Sequence, residues 1–397
     1  MKVLKLIKNL IDNENKTHEG IKYINLPFVG YFILFYEGVN IMHMADALIS
    51  VGVGATMLGT TTGVGAYSIK KIEKDMDEKK IPLMGVMGAF VFAMQMINFT
   101  IPGTGSSGHI GGGILLAILL GPYAGFLTMA SILLIQALIF GDGGLLAYGC
   151  NVFNLGFYTC FIAYPLIYKY FTRKEVNSKK IFIASMVSVL IGLQMGAFSV
   201  VIETFLSGKT ELSFGTFLLL MQPIHLAIGI GEGFVTAAVV TFIWKAKPEI
   251  IEKVSKGESF GNISMKKVLT SLIIAVVLIG GVLSLFASSK PDGLEWAIEK
   301  TTGITEFETQ DGIHKSLSEI QSKIAFLPDY SFAQSDLENK EELSEESENQ
   351  WPSTDVGTSA SGIVGGGLTL LLASLIGLCI NLIKRKKKKE HTITGEV

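Results

Sequence analysis

The chain has 397 residues, 49% of them hydrophobic and only 17% charged, with a mean hydropathy of +0.46. A soluble domain carries about 25% charged residues, so a water-soluble enzyme is excluded; the net charge of -2 identifies no partner, and no nucleic acid is expected. The apolar residues fall in blocks of about twenty, the length that crosses a bilayer core. The reading is an all-α, polytopic membrane bundle. Three cysteines (Cys150, Cys160, Cys379) lie in apolar segments without CxxC spacing, which indicates neither a disulfide framework nor a zinc knuckle.

Residues 1–41 admit three readings: sequence upstream of a start at Met42, a cleaved signal peptide, or an extra helix. As a signal peptide, cleavage before Met42 puts Val39 and Ile41 where small residues are expected. The codons of Glu37-Gly38-Val39 can spell a ribosome-binding sequence just ahead of Met42, which favours the first reading. From there, nine spans are predicted: 46–69, 82–100, 110–120, 123–140, 148–171, 181–203, 214–244, 268–287 and 362–383. The loops 70–80, 172–180 and 245–267 and the tail 384–389 carry the Lys and Arg, whereas 101–109 and 141–147 carry none. Short basic loops stay in the cytoplasm, so nine spans alternate correctly with Met42 outside and the basic tail inside, in a cell membrane. Residues 288–361 then form an outer loop whose Glu/Ser-rich stretch 335–350 is expected to be disordered.

Three of the six histidines, His43, His109 and His225, lie within the membrane body, where an ionisable side chain usually faces a cavity and serves function. His18, His314 and His391 fall in polar or doubtful segments and are expected in solvent. His109 belongs to "NFTIPGTGSSGHIGGG" (98–113), a loop tolerated at membrane depth only when buried in protein or lining a cavity. If Met42 is the free N-terminus, its amine, the deprotonated backbone nitrogen of His43 and the His43 side chain chelate one ion, with His109 as fourth nitrogen. Four planar nitrogens suit Ni(II) or Cu(II), and Co(II) is also accepted; Mg and Ca, which want oxygen, are not.

Around these ligands, Asp142, Asn151 and Asn154 are read as lining the site or orienting His109, or as interhelical hydrogen-bonding groups. Gln95, Asn98 and Ser107 are in the same position, and Asp46 is placed as an anchor for the N-terminal segment. His225 and Glu232 are two helical turns apart on one face. They read as a buried His–Glu pair, or as a metal or proton site.

The stretches "MHMADALIS" (42–50), "FVFAMQMINFTIPGTGSSGHIGGG" (90–113), "FGDGGLLAYGCNVFNLG" (140–156) and "QPIHLAIGIGEGFVTA" (222–237) resemble the nickel/cobalt substrate-capture subunits (CbiM/NikM type) of energy-coupling factor transporters. The likeness runs over nearly all of 42–245. "PDGLEW" (291–296), followed by a loop and a last span, is similar to the small companion subunit (NikN/CbiN type), here fused. The resemblance implies metal ligation by Met42, His43 and His109, no tightly bound cofactor, and transported Ni2+ or Co2+. It also implies a membrane coupling subunit (CbiQ/NikQ type) and cytoplasmic ABC-type ATPases (CbiO/NikO type). The organisation is then a doubtful extension 1–41, a capture domain 42–245, a cytoplasmic linker 246–267, and a module 268–397 expected to support transport rather than hold the metal. No G-x-x-x-x-G-K-[ST] loop is present, so the chain is not itself an ATPase. The rival readings are a membrane metalloenzyme, which lacks an H-E-x-x-H pair, and a stand-alone porter, which needs a polar path across the bilayer.

Overall fold

A bilayer offers the backbone no hydrogen-bonding partner except itself, so each crossing segment must close its own bonds. The computed structural model describes residues 43–75, 77–209, 212–303, 312–332 and 356–394. The readings on Met42, the N-terminal extension and the acidic stretch 335–350 lie outside these residues. The described regular structure is helical apart from a two-residue hairpin, β1 (Phe99–Thr100) and β2 (Ser107–Gly108), paired antiparallel with Phe99 opposite Gly108.

The helices in chain order are α1 (Val51–Asp75), α2 (Lys80–Gln95), α3 (Gly113–Leu120), α4 (Pro122–Phe140), α5 (Tyr148–Thr172), α6 (Ser178–Ser207), α7 (Phe214–Ala246), α8 (Pro248–Lys256), α9 (Lys266–Gly281), α10 (Gly293–Thr302), α11 (Ile313–Ile324) and α12 (Val356–Thr394). Five stretches, Pro122–Phe140, Tyr148–Thr172, Ser178–Ser207, Phe214–Ala246 and Gly357–Lys387, are long and apolar enough to cross a membrane. The middle of α5 is wound in wide π turns with Pro165 inside.

The predicted span 110–120 takes a different form. Its helix, α3, has eight residues, about 12 Å at 1.5 Å per residue, against a hydrocarbon core of about 30 Å. The non-helical chain between α2 and α3 is exposed around Pro102 and Gly103 and buried from Ser106 to Gly108 and from Ile110 to Gly112. All of α3 is buried, as a helix apolar on every side should be. The far end of α3 reaches the basic end of the molecule, where Gly121 shares a surface groove with Lys71, Lys80 and Lys256.

The largest core cluster joins α2, α3, α4 and α5 through Phe90, Phe92, Ile114, Phe126, Tyr164 and Tyr168. Outside it, α6 packs along α7 and α5, and α12 packs along α2 and α9. Small residues let helix backbones come close in lipid, and the α2–α12 seam uses this: a Cβ at Gly85 would lie 2.8 Å from the Leu370 carbonyl oxygen.

Charged loops gather at one end. Asp77 accepts hydrogen bonds from the Ser259 hydroxyl (2.8 Å) and the Phe260 N–H (2.6 Å). Lys79 Nζ donates to the carbonyl of Ile263 at 3.1 Å. Arg385 of α12 pairs with Glu78, and Lys387 with Glu73 at 2.7 Å. His43, His109 and the 141–147 loop lie at the other end.

Candidate metal centre

The segment carrying His43 is held as an added strand would be. The Met44 N–H donates to Asn151 Oδ1 (3.1 Å), and the Met44 carbonyl accepts from Asn151 Nδ2 (3.1 Å) and from the Gly144 N–H (3.0 Å). Asp46 Oδ1 accepts the Ala147 N–H at 2.9 Å. These bonds fix the backbone that follows His43, which is 4% exposed.

Asp142 then takes hold of His43 twice. Its Oδ1 accepts the His43 backbone N–H at 3.1 Å, and its Oδ2 accepts the ring Nδ1–H at 3.0 Å. The Tyr330 hydroxyl also donates to Oδ2. Burial alone would raise the Asp142 carboxyl, but the His43 charge and hydrogen bond and the Tyr330 hydroxyl bring it below the usual carboxylate range. With Nδ1 committed, His43 Nε2 is left buried with no hydrogen-bond partner. A ring held by a carboxylate on one nitrogen and open on the other is how proteins present imidazole to a metal.

His109 is set by the loop that descends from β2. Glu232 on α7 accepts both the Gly111 N–H and the Gly112 N–H, each at 2.9 Å. Gln95 Nε2 donates to the Gly111 carbonyl at 2.9 Å and is itself bridged to Gln136 at 2.9 Å. Gly112 has φ of 77°, a region that disfavours side chains; this bend turns the loop into α3. The result brings the His43 and His109 rings to 5.5 Å between centres, tilted by 44°. Two imidazoles sharing a metal at about 2.0–2.1 Å put their centres roughly 4.5–6.5 Å apart, depending on the angle at the ion, so one ion fits between them. Among the described residues no group of three or more His, Cys, Asp or Glu converges on one point. A metal held by the two rings therefore needs a further donor.

A cavity of about 80 Å³ opens beside the pair, lined among others by His43, His109, Asn151, Asn154, His225 and Glu232. Several expectations are corrected here. Asp142 is bonded to His43, because the 141–147 loop packs against the N-terminal segment. His225 and Glu232 are not a pair: Glu232 is spent on the two loop amides, and His225 Nδ1 donates to the Met221 carbonyl at 2.8 Å. Asn154 lines the cavity and donates to Glu203 on α6 at 2.8 Å. Asn98 and Ser107 bind the C-terminal segment, Asn98 through its carbonyl to the Ser288 N–H (2.7 Å) and Ser107 through its N–H to the Pro291 carbonyl (2.7 Å). His314, expected in solvent, is 4% exposed, its Nε2 facing the Ile49 carbonyl at 2.8 Å.

The C-terminal segment is thus part of the site. Sequence reasoning passed over Tyr330, which carries no spacing signal, and Asp292, which lines the cavity but was read only as a motif residue.

Residues 43–250 match the family model of CbiM, the cobalt uptake substrate-specific transmembrane region, and residues 266–382 match the PDGLE domain. A chain of Archaeoglobus fulgidus, provisionally named as a fused nickel transport protein NikMN, is 36% identical over 212 residues, 53% of this chain and 68% of its own. The fused nickel transport protein NikMN of Rhodobacter capsulatus is 30% identical over 226 residues, 53% of this chain and 64% of its own. A solved truncated transition metal transporter covers 52% of this chain and 99% of its own at 31% identity, with a TM-score of 0.46.

Proposed function

The chain belongs to the CbiM family, with a PDGLE domain in the same polypeptide, and from that premise we propose that it captures Ni(II) or Co(II) as the substrate subunit of an ATP-driven energy-coupling factor transporter. The observation that carries the reading is the His43–His109 pair, 5.5 Å apart and braced by Asp142. The proposed ligands are the amine of a mature chain beginning at Met42, His43 and His109.

A deprotonated His43 amide and the Asp142 carboxylate supply negative charge beside the ion, which supports a divalent cation in a site where unpaired charge is costly. The His43 amide nitrogen and Nδ1, the two atoms that close the chelate ring, now both face Asp142; binding there replaces their protons with the ion and leaves Asp142 as the neighbouring counter-charge. A second mode is favoured by one observation: the unpartnered Nε2 of His43 meets the ion together with His109, without the amine.

The sequence carries no phosphate loop, so the proposal assigns ATP hydrolysis to ABC-type ATPases of the CbiO/NikO type, reached through a coupling subunit of the CbiQ/NikQ type. The clustering of basic loops at the end opposite the histidines supports an outward-facing site, with residues 42–245 as the capture domain and 268–397 as the companion module. The test is to place one extra residue before Met42 in the mature chain and measure Ni(II) affinity by equilibrium dialysis. Loss as severe as that of His43→Ala supports the amine chelate; native affinity assigns the ion to Nε2 and His109. Intact mass of the membrane-extracted chain is read alongside, since retained residues 1–41 overturn the amine as ligand.

A further inference from the structure

The motif "PDGLE" (291–295) opens α10 with a capping box. Asp292 Oδ1 accepts the Leu294 and Glu295 N–H groups, both at 2.8 Å, and Glu295 Oε2 accepts the Asp292 N–H at 3.2 Å. One oxygen completes the cap. Among the described residues the other, Oδ2, accepts no hydrogen bond, while the side chain lines the same cavity as His43 and His109. Asp292 is nevertheless only 5% exposed.

A cap does not account for this placement. Ser and Asn cap a helix as well as Asp does, and neither carries a charge to bury. Burial pushes the Asp292 carboxyl up, and Glu295 and Asp142 push it further. No Lys or Arg lines the cavity, and a buried carboxylate without a partner is costly. The positive end of α10 would repel a cation, and a carboxylate at its first position offsets that.

The backbone that follows Asp292 packs on an imidazole. The backbone at Gly293 packs on His225, so that a Cβ there would lie 3.5 Å from His225 Cε1. With Nδ1–H committed to the Met221 carbonyl, His225 keeps its Nε2 lone pair for another partner, and it too lines the cavity. Two further atoms in this lining are buried without hydrogen bonds, His43 Nε2 and Asn154 Oδ1. The segment is clamped in place: Ser107 Oγ donates to the Lys290 carbonyl at 2.7 Å, and Trp296 Nε1 to the Thr104 carbonyl at 3.0 Å.

We propose that Asp292 and His225 form a receiving station for the divalent cation, built across the two parts of the chain, from which the ion passes to His43 and His109. The inference rests on the capture reading above. One carboxylate oxygen and one imidazole hold Ni(II) or Co(II) less firmly than a set of nitrogens does, so the transfer runs downhill. The station also gives the capping box a second use: it orients Oδ2 by fixing Oδ1.

The test uses the full-length chain in detergent, loaded with cobalt chloride and followed by stopped-flow absorption of the bound Co(II). Asp292→Asn and Asp292→Ser both keep the cap, and His225→Gln keeps a polar side chain. Each is expected to slow loading tenfold or more while ending at the spectrum of the held ion. In Asp292→Cys an early Co(II)–thiolate charge-transfer band should appear and then decay as the ion moves on, which a purely structural residue cannot produce. Loading at the native rate in both Asp292→Asn and Asp292→Ser, or no thiolate band in Asp292→Cys, overturns the station. So does complete loss of held Co(II) in folded Asp292→Asn, which would place Asp292 in the holding set. Retention of the held-ion spectrum in both His43→Ala and His109→Ala overturns the capture reading instead, whatever the Asp292 variants do.

Discussion

The two ends of the body use charge in opposite ways. At the histidine end, Asp46, Asp142 and Asp292 are each at most 6% exposed and bond to backbone amides or buried rings. At the basic end, Arg385 and Lys387 reach Glu78 and Glu73 through side chains that are more than half exposed on the basic partner. A buried, over-determined carboxylate holds a neighbour to a fixed geometry; an exposed ion pair holds almost nothing, since its net worth is about 0–1 kcal/mol. Function that depends on geometry should therefore fail at the first end and tolerate change at the second.

The strongest way to break this comparison is to remove a ring. His43→Ala or His109→Ala is expected to lower Ni(II) affinity by more than about 100-fold, beyond the 10–100-fold typical of groups that only orient a ligand; equilibrium dialysis with radioactive nickel measures it. Asp142→Asn should fall inside that 10–100-fold range, because the amide still accepts from His43 but no longer supplies counter-charge. An Asp142→Asn chain with native affinity would mean that the brace is dispensable.

At the basic end the effects shrink. Burial raises the Asp77 carboxyl, but the Lys79 and Phe260 N–H groups and the Ser259 hydroxyl together take it below its ordinary value of 3.8. A carboxyl depressed in the folded state stabilises above its unfolded value and loses that contribution as pH falls through the folded value. Amide exchange of residues 257–265 should thus be steady from neutral pH down to about 4 and accelerate below it beyond the intrinsic rate, and Asp77→Asn should remove the transition. Smallest of all, Arg385→Ala with Lys387→Ala is expected to change stability by less than about 1 kcal/mol, seen as an unaltered unfolding curve in detergent.

Most of the helices were legible because a twenty-residue apolar run has few fates other than a crossing helix. The form of 110–120 was not, since apolarity records that a segment is buried and not how much of it is wound; the bonds that hold the unwound part before α3 come from Gln95 and Glu232, on two other helices. Within the site, His43 and His109 could be found by the rarity of histidine in such surroundings. Tyr330 could not: it lies far along the chain in a segment of ordinary composition, and only the folded contact with Asp142 gives it a part. His225 and Glu232 show the converse limit. Helical spacing put them on one face, but each met a backbone group first, the Met221 carbonyl for one and the Gly111 and Gly112 amides for the other.

The seam between α2 and α12 has a consequence for how the protein is made. A ribosome delivers α2 early and α12 last, so during most of synthesis the groove at Gly85 and Gly88 has no helix to fill it, and Phe92 waits for the backbone of Gly365 that will close against its ring. A nascent chain halted before residue 356 would have nearly all of its helices in the bilayer and still present that open face to lipid and to membrane proteases. The packing of α12 on α2 thus closes a face that the rest of the described chain leaves open.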